Sequence, residues 1–128
     1  MSSVLVVGYD PQAIPGADGE ALRAALDAEL ARFGEQGIEA AKRTAISLLS
    51  TLKVVLGGDL SRVKRIVKVN GWVNCTDNFK DQPRVMNGCS DLLVAVFGSK
   101  GKHARTSLGT NALPSNIAIE IEMIVEVE

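Results

Sequence analysis

Hydrophobic and polar positions repeat with two different periods along this chain, and each change of period marks the boundary of a predicted element. Apolar residues at helical spacing predict helices over residues 35–56 and 82–97. Alternation predicts a strand over 63–75, a short strand over 104–110 and a very regular strand over 117–127. The order helix, strand, helix, strand, strand predicts an α+β sandwich with helices on one face of a mixed sheet.

The predicted strand over residues 63–75 has one apolar face and one partly polar face. Its alternation places Val67 and Val69 on the apolar side, and it places Ile66, Trp72 and Asn74 on the partly polar side. We therefore expect only the first of these faces to pack against the helices.

The first 34 residues follow a different pattern. A short apolar run over residues 4–7 predicts a fully buried strand. A loop over 15–19 then leads into a predicted amphipathic helix over 20–33 that ends at Gly34. Glycines before a helix can hold a phosphate, but this loop lacks the usual phosphate-binding spacings, so a plain connection is favoured. A buried strand, a loop and a helix are typical of the opening of an α/β unit.

Composition limits the classes of function. With 46% hydrophobic and 23% charged residues, the 128-residue chain is predicted to be one soluble domain. A net charge of −1 provides no field to attract nucleic acid or an anionic membrane. No run spans a membrane and no signal peptide is evident, so the cytoplasm is expected. Cys75 and Cys89 are expected to be reduced, packed thiols, and no spacing of His and Cys indicates a metal site.

Arg105 on a short strand and Glu120 on the polar face of the last strand are the candidates for chemistry. An arginine fork suits a small carboxylate, and a glutamate suits the handling of water or protons. Taken alone, such residues are more often salt-bridge partners or parts of a solvated face. His103 has no second base or nucleophile spaced around it, so a general-base role is disfavoured.

Other charged residues are interpreted as structural. Glu122 and Glu126 are expected to be ordinary surface carboxylates. A local basic cluster either contacts RNA phosphates or forms a solvated strand edge, and the absence of interleaved aromatic residues favours the strand edge. This basic cluster consists of Arg62, Lys64, Arg65 and Lys68.

Three groups of motifs resemble a known family at the level of residues. They are Leu52-Lys53-x-x-Leu56-Gly57 with Leu60-Ser61-Arg62-Val63 and Lys68-Val69-x-Gly71-x-Val73-Asn74; Phe79-x-Asp81-Gln82-Pro83-x-Val85-x-Asn87-Gly88-x-Ser90-Asp91-Leu92-Leu93; and Gly101-x-His103-Ala104-Arg105 through Leu113-Pro114 to Ile119-Glu120-Ile121. Over residues 35–128 the chain resembles the Rid family of reactive-imine deaminases, which is also called the YjgF type and has the older name L-PSP endoribonucleases. The family often has proline or alanine at the position of His103.

This resemblance implies a chorismate-mutase-like (YjgF-like) fold, a homotrimer with three clefts between neighbouring subunits, and no metal or organic cofactor. In the family, the residue matching Arg105 binds the carboxylate of an enamine or imino acid such as 2-aminoacrylate. The residue matching Glu120 positions the water that hydrolyses the imine to a 2-keto acid and ammonia. Ser107 shares the strand face of Arg105 and is expected to line the cleft as well.

Residues 1–34 depart from the family, whose members begin with a β-hairpin that bears a Ser-Gly-Gln sequence. Here a strand and a helix resembling a Rossmann-like or flavodoxin-like opening replace that hairpin. A chimera and a divergent natural N-terminus are both consistent with this change, and its abruptness favours the chimera. Two other functions stay open: a folded but inactive self-associating module and, more weakly, an endoribonuclease.

Overall fold

A four-stranded mixed sheet carries two long helices. The computed structural model describes residues 2–8 and 30–128. The elements are strand β1 (Ser2–Gly8), helix α1 (Leu30–Val55), strand β2 (Val63–Asn74), helix α2 (Gln82–Phe97), strand β3 (Ala104–Thr110) and strand β4 (Ile119–Val127). Within these ranges, no helix has the length and apolarity needed to cross a membrane.

The sheet has the strand order β1-β4-β2-β3. Strand β4 is antiparallel to both of its neighbours, whereas β2 and β3 are parallel. Parallel strands need a crossover connection, and here α2 provides it. The buried residues of both helices and of strands β2 and β4 form one hydrophobic core, so the helices cover one face of the sheet. The predicted α+β fold with a mixed sheet is confirmed.

Strand β2 departs from simple alternation because its pairing with β4 is irregular. One shift in register lies between Ile66 and Lys68. A bulge of this kind adds a residue to one strand and changes which face the following side chains occupy. Ile66 is therefore 1% exposed and belongs to the core, while Val67 is half-buried. The prediction that placed Ile66 on the partly polar face is wrong.

Helix α1 is longer than the pattern predicted. The predicted helix end at Gly34 is wrong, because α1 passes through this residue without a break. A glycine inside a helix costs about 1 kcal/mol relative to alanine, which the packing of a long helix can outweigh. The other end is confirmed, since Gly57 and Gly58 follow α1 with φ angles of 68° and 94°. Glycine adopts this left-handed conformation most readily.

Strand β1 confirms the predicted strand over residues 4–7. It pairs antiparallel with β4 and occupies the edge of the sheet opposite β3. The predicted loop over 15–19 and most of the predicted helix over 20–33 lie outside the described residues. The two interpretations of the N-terminal segment therefore stay predictions.

Helix α2 packs very closely against helix α1 on one side and against the sheet on another. A Cβ atom on Gly88 would overlap the backbone carbonyl oxygen of Ile38 in α1. A Cβ atom on Gly71 in β2 would overlap the Sδ atom of Met86, which is the flexible end of an α2 side chain. The contact at Gly88 is therefore the stricter of the two, because a backbone atom cannot move away alone.

We predict that Gly88→Ala destabilises the protein by about 2 kcal/mol or more, because overpacking forces the two helices apart. Gly57→Ala is the control, since nothing lies within 4 Å of its Cβ and only the positive φ opposes the substitution. That strain costs about 1 kcal/mol. Urea unfolding of both variants measures the difference. Equal stability of the two variants would mean that the helix contact is not tight at Gly88.

Candidate functional site

Strand β3 places Arg105 beneath helix α2. The parallel register pairs Arg105 with Val69, which is fully buried under the helices. Neighbouring residues at the same level of a sheet point to the same face, so Arg105 also lies on the helix side. Its Nη1 atom donates to Asn87 Oδ1 at 2.8 Å and to Ser90 Oγ at 3.2 Å. Both acceptors belong to α2, so two hydrogen bonds attach the guanidinium to this helix.

The hydrogen bonds continue from Ser90 to the chain between α2 and β3. Ser90 Oγ lies 2.9 Å from His103 Nε2. The other ring nitrogen, His103 Nδ1, lies 2.6 Å from the carbonyl oxygen of Gly101. A continuous series of contacts therefore joins the backbone at Gly101 to the guanidinium of Arg105.

A cavity of about 260 Å³ lies against this series of contacts. The Nε and Nη2 atoms of Arg105 have no hydrogen-bond partner among the described residues, so this edge of the guanidinium is available to a ligand. The lining residues include two cationic side chains and no carboxylate, which suits a small anion. They are Ser90, Val94, Lys102, His103 and Arg105.

A second cavity, of about 460 Å³, lies where the parallel strands β2 and β3 end. Several of its polar groups already have partners. Lys80 Nζ donates to the carbonyl oxygen of Asp77 at 2.8 Å, and Gln82 Nε2 donates to that of Phe79 at 2.8 Å. Arg105 does not line this cavity. Its lining residues are Cys75, Thr76, Asp77, Phe79, Lys80, Gln82, Gly109, Thr110 and Asn111.

Glu120 lies on the other face of the sheet. It pairs with Trp72 of β2, and its neighbours Ile119 and Ile121 are buried in the core under the helices. Alternation therefore points Glu120 away from the helices. The structure of the chain does not bring Glu120 and Arg105 together.

Ser107 shares the helix side of β3 with Arg105 but does not line the smaller cavity. It pairs with Gly71, the residue beneath Met86. Its Oγ atom is buried without a hydrogen-bond partner in the described part of the chain. A buried hydroxyl without a partner is unfavourable, so this atom remains available to a donor or acceptor that the chain does not provide.

Sequence reasoning missed Asn87 and Ser90 as site residues. Both lie within the motif over residues 79–93, but only the fold brings them to Arg105. Their spacing contained a usable signal, because residues three apart lie on the same side of a helix. Polar residues at this spacing in an otherwise apolar stretch indicate that this side of α2 makes polar contacts in addition to packing against the core.

The carboxylate of Glu126 is not an ordinary surface group, so that prediction is wrong. Glu126 is only 9% exposed. Its Oε2 accepts a hydrogen bond from Arg65 Nε at 2.7 Å, and its Oε1 lies 3.8 Å from Lys64 Nζ. The bond from Arg65 lowers the pKa of Glu126, although burial partly opposes this effect. Two members of the basic cluster thus share one carboxylate, which offsets one of their two positive charges.

Both cysteines are free and buried, as predicted. Burial raises the pKa of the Cys89 thiol to about 12, and the nearby charge of Arg105 offsets only part of this rise. A thiol that remains protonated is a poor nucleophile. Cys89 is therefore interpreted as a packing residue of the core beneath the site. Among the residues that the structure describes, no three His, Cys, Asp or Glu side chains form a group that could hold a metal ion.

The chain matches a protein-family model, described as "YjgF/chorismate mutase-like, putative endoribonuclease", over residues 14–127. The match begins before residue 35, where the resemblance found by sequence analysis begins. Protein TCP17 from Trypanosoma cruzi is 44% identical over 92 residues, which cover 71% of this chain and 57% of TCP17. The chain thus matches little more than half of that relative's length.

Two solved structures share the fold over nearly the whole chain. Protein Atu1372 of unknown function from Agrobacterium tumefaciens is 33% identical with a TM-score of 0.82, and the similarity covers 99% of this chain and 79% of Atu1372. A "putative endoribonuclease" from Shewanella oneidensis is 25% identical with a TM-score of 0.83, covering 99% of this chain and 80% of that chain.

We predict that Cys89 makes stability depend on pH in the alkaline range. The thiol has an ordinary pKa of 9.0 and a pKa of about 12 in the folded protein. Between these values the folded state keeps a proton that the unfolded state has lost, so the contribution of this thiol to stability is constant below about pH 9 and falls above it. The slope is at most about 1.4 kcal/mol per pH unit.

Urea unfolding at a series of alkaline pH values measures this slope. Cys89→Ala is expected to be less steep than the unaltered protein, whereas Cys75→Ala, which leaves Cys89 in place, is expected to keep the slope. The same slope in all three proteins would contradict the assignment.

Proposed function

The chain belongs to the YjgF/chorismate-mutase-like family, and we propose that it hydrolyses reactive enamines or imines of the 2-aminoacrylate type to 2-keto acids and ammonia. The observation that carries this proposal is the Arg105 guanidinium. Its Nη1 atom donates two hydrogen bonds to side chains of α2, and its Nε–Nη2 edge has no partner among the described residues. That edge matches a carboxylate, which accepts two parallel N–H···O bonds from such a fork.

A carboxylate bound in this way fixes the position of the reacting carbon. In a 2-imino acid the imine carbon is bonded directly to the carboxylate carbon, so Arg105 holds both. An enamine such as 2-aminoacrylate first tautomerises to this imine, as a proton moves from the nitrogen to the terminal carbon. Water then adds to the C=N bond to give a carbinolamine, which loses ammonia and leaves the 2-keto acid. The imine carbon is already electrophilic, so a group that orients or deprotonates water is sufficient.

Glu120 is our proposed group for this water. Because Glu120 and Arg105 lie on opposite faces of one sheet, Glu120 can serve Arg105 only across a boundary between subunits. The proposed site therefore combines Arg105 of one subunit with Glu120 of a neighbour. Ser107 is proposed as a further substrate contact, since it lies two residues from Arg105 on the same face of β3.

The helix-free face of the sheet supports the proposal that the chain self-associates, and the family resemblance implies a homotrimer. It exposes large apolar side chains, with Leu108 49% and Ile124 37% exposed. On the same face, Asn70 donates to Glu122 at 2.9 Å, but its Oδ1 atom is buried without a partner among the described residues. A neighbouring subunit on this face would cover the apolar side chains and offer a donor to Asn70.

An endoribonuclease is the second candidate, because the family description and the Shewanella structure both carry this name. The basic cluster offers it little support, since Lys64 and Arg65 are paired with Glu126. Incubation with RNA at low and moderate salt tests it, and intact RNA under both conditions removes it. A third candidate, an inactive self-associating module, is excluded if the unaltered protein releases ammonia faster than the spontaneous reaction.

We predict that Arg105→Ala reduces ammonia release by about 100-fold or more, because two charge-assisted hydrogen bonds to the substrate are lost. The assay uses an imino acid generated in situ. Arg84→Ala is the matched control, since Arg84 is an exposed arginine on α2 whose partner is Asp81 at 3.8 Å. Unchanged release by Arg105→Ala would disprove the proposed function.

A mixing experiment tests whether the site lies between subunits. Arg105→Ala and Glu120→Gln are each expected to be inactive alone. Co-expression allows a cleft to combine the intact Arg105 of one variant with the intact Glu120 of the other. In a randomly mixed ring about a quarter of the clefts are then complete. Activity near this fraction is expected, whereas mixtures as inactive as both parents would place the reaction within one subunit.

A further inference from the structure

We propose that Ser90 and His103 are positioning residues that fix the guanidinium of Arg105 and present its Nε–Nη2 edge to the smaller cavity. The inference rests on the proposed function, because Arg105 is the group that binds the substrate carboxylate there. The orientation of the Arg105 side chain can be measured without enzymatic turnover.

The contacts of His103 determine where its proton lies. The carbonyl oxygen of Gly101 can only accept a hydrogen bond, so the contact at 2.6 Å places the proton on Nδ1. In the neutral ring Nε2 is then an acceptor, and the Ser90 hydroxyl donates to it at 2.9 Å. With its proton directed at His103, Ser90 Oγ offers a lone pair to Arg105 Nη1 at 3.2 Å. Every donor in this relay meets an acceptor.

The relay begins at a rigid point of the backbone. Gly101 is buried, and a Cβ atom there would lie 2.7 Å from the carbonyl carbon of Leu93 and 2.9 Å from the Cα atom of Val94. The carbonyl of Gly101 is thus held against α2, the same helix that carries Ser90. The imidazole ring therefore bridges the Gly101 carbonyl and the Ser90 hydroxyl. The packing of Gly101 against α2 fixes the distance between these two groups.

The relay matters because a free arginine side chain is mobile. An arginine loses about 2 kcal/mol of rotamer entropy when it is held in one orientation. Here Asn87 and Ser90 accept from the same nitrogen, Nη1, so the plane of the guanidinium is fixed and the opposite edge stays available. Part of the ordering that substrate binding requires is already present in the free protein.

Nuclear magnetic resonance tests the relay directly, because His103 is the single histidine of the chain and its signals need no assignment. A long-range ¹H–¹⁵N spectrum is expected to show the proton on Nδ1 and an acceptor at Nε2. In Ser90→Ala the Nε2 signal is expected to move, since its donor is lost. The Nη signals of Arg105 are expected to be resolved in the unaltered protein and averaged in Ser90→Ala. A proton on Nε2, or averaged Nη signals in the unaltered protein, would overturn the proposal.

Calorimetric titration with pyruvate measures the consequence for binding. Pyruvate is the 2-keto acid that hydrolysis of 2-aminoacrylate produces. Ser90→Ala and His103→Ala are expected to bind pyruvate about tenfold more weakly. Ser90→Ala removes one hydrogen bond that holds the charged guanidinium, and His103→Ala removes the acceptor that orients the Ser90 hydroxyl. Ser90→Thr keeps the hydroxyl and is expected to restore binding. Ser50→Ala, on the exposed side of α1, is the control for a serine that contributes nothing to the site. Undiminished binding by Ser90→Ala would overturn the positioning role.

Failure of this inference and failure of the proposed function give different results. If the unaltered protein neither binds pyruvate nor releases ammonia, the proposed function fails, while the spectra still decide whether Ser90 and His103 orient Arg105. If it does both and Ser90→Ala behaves identically, the function stands and the relay is disproved.

Discussion

The parallel pairing of β2 with β3 is the constraint on which the candidate site depends. Parallel neighbours cannot be joined by a tight turn, so the chain must cross the sheet, and α2 is the crossover. The same connection places α2 above β3. Asn87 and Ser90 thereby reach Arg105, and the close contact at Gly88 holds α2 against α1. The crossover helix α2 thus contributes both to the packing of the core and to the orientation of Arg105.

This arrangement also places Arg105 and Glu120 on opposite faces of the sheet. On the helix side, Arg105 and Lys102 line a small cavity that no carboxylate enters. On the helix-free side, Glu120 and Glu122 lie beside exposed apolar residues of the sheet. A single chain therefore keeps the proposed anion-binding group and the proposed base on opposite faces of its sheet. This separation is the physical reason for proposing that the reaction takes place between subunits.

The sequence predicts the elements well where local pattern and tertiary packing agree. Helix α2 and strand β3 have the predicted bounds, because Pro83 and the following turns are local signals. The prediction fails where packing overrides the pattern. The bulge in β2 moves Ile66 into the core, and α1 continues through Gly34. No local signal marks the bulge, since it depends on the pairing of β2 with β4.

The candidate site was only partly predictable for a similar reason. Motif resemblance singled out Arg105, whose position at the sheet edge follows from the register. Asn87, Ser90 and their contacts with Arg105 depend on how closely α2 approaches β3, which no spacing in the sequence specifies. The separation of Glu120 from Arg105 follows from alternation, but only once the register of β2 with both neighbours is known.

A crystal structure with bound pyruvate is the most direct test of the claim that Arg105 forms a carboxylate site. The predicted result is a carboxylate that accepts hydrogen bonds from Nε and Nη2 of Arg105, while Nη1 remains bonded to Asn87 and Ser90. Pyruvate bound in the larger cavity at the ends of β2 and β3, with the Arg105 edge unoccupied, would contradict it.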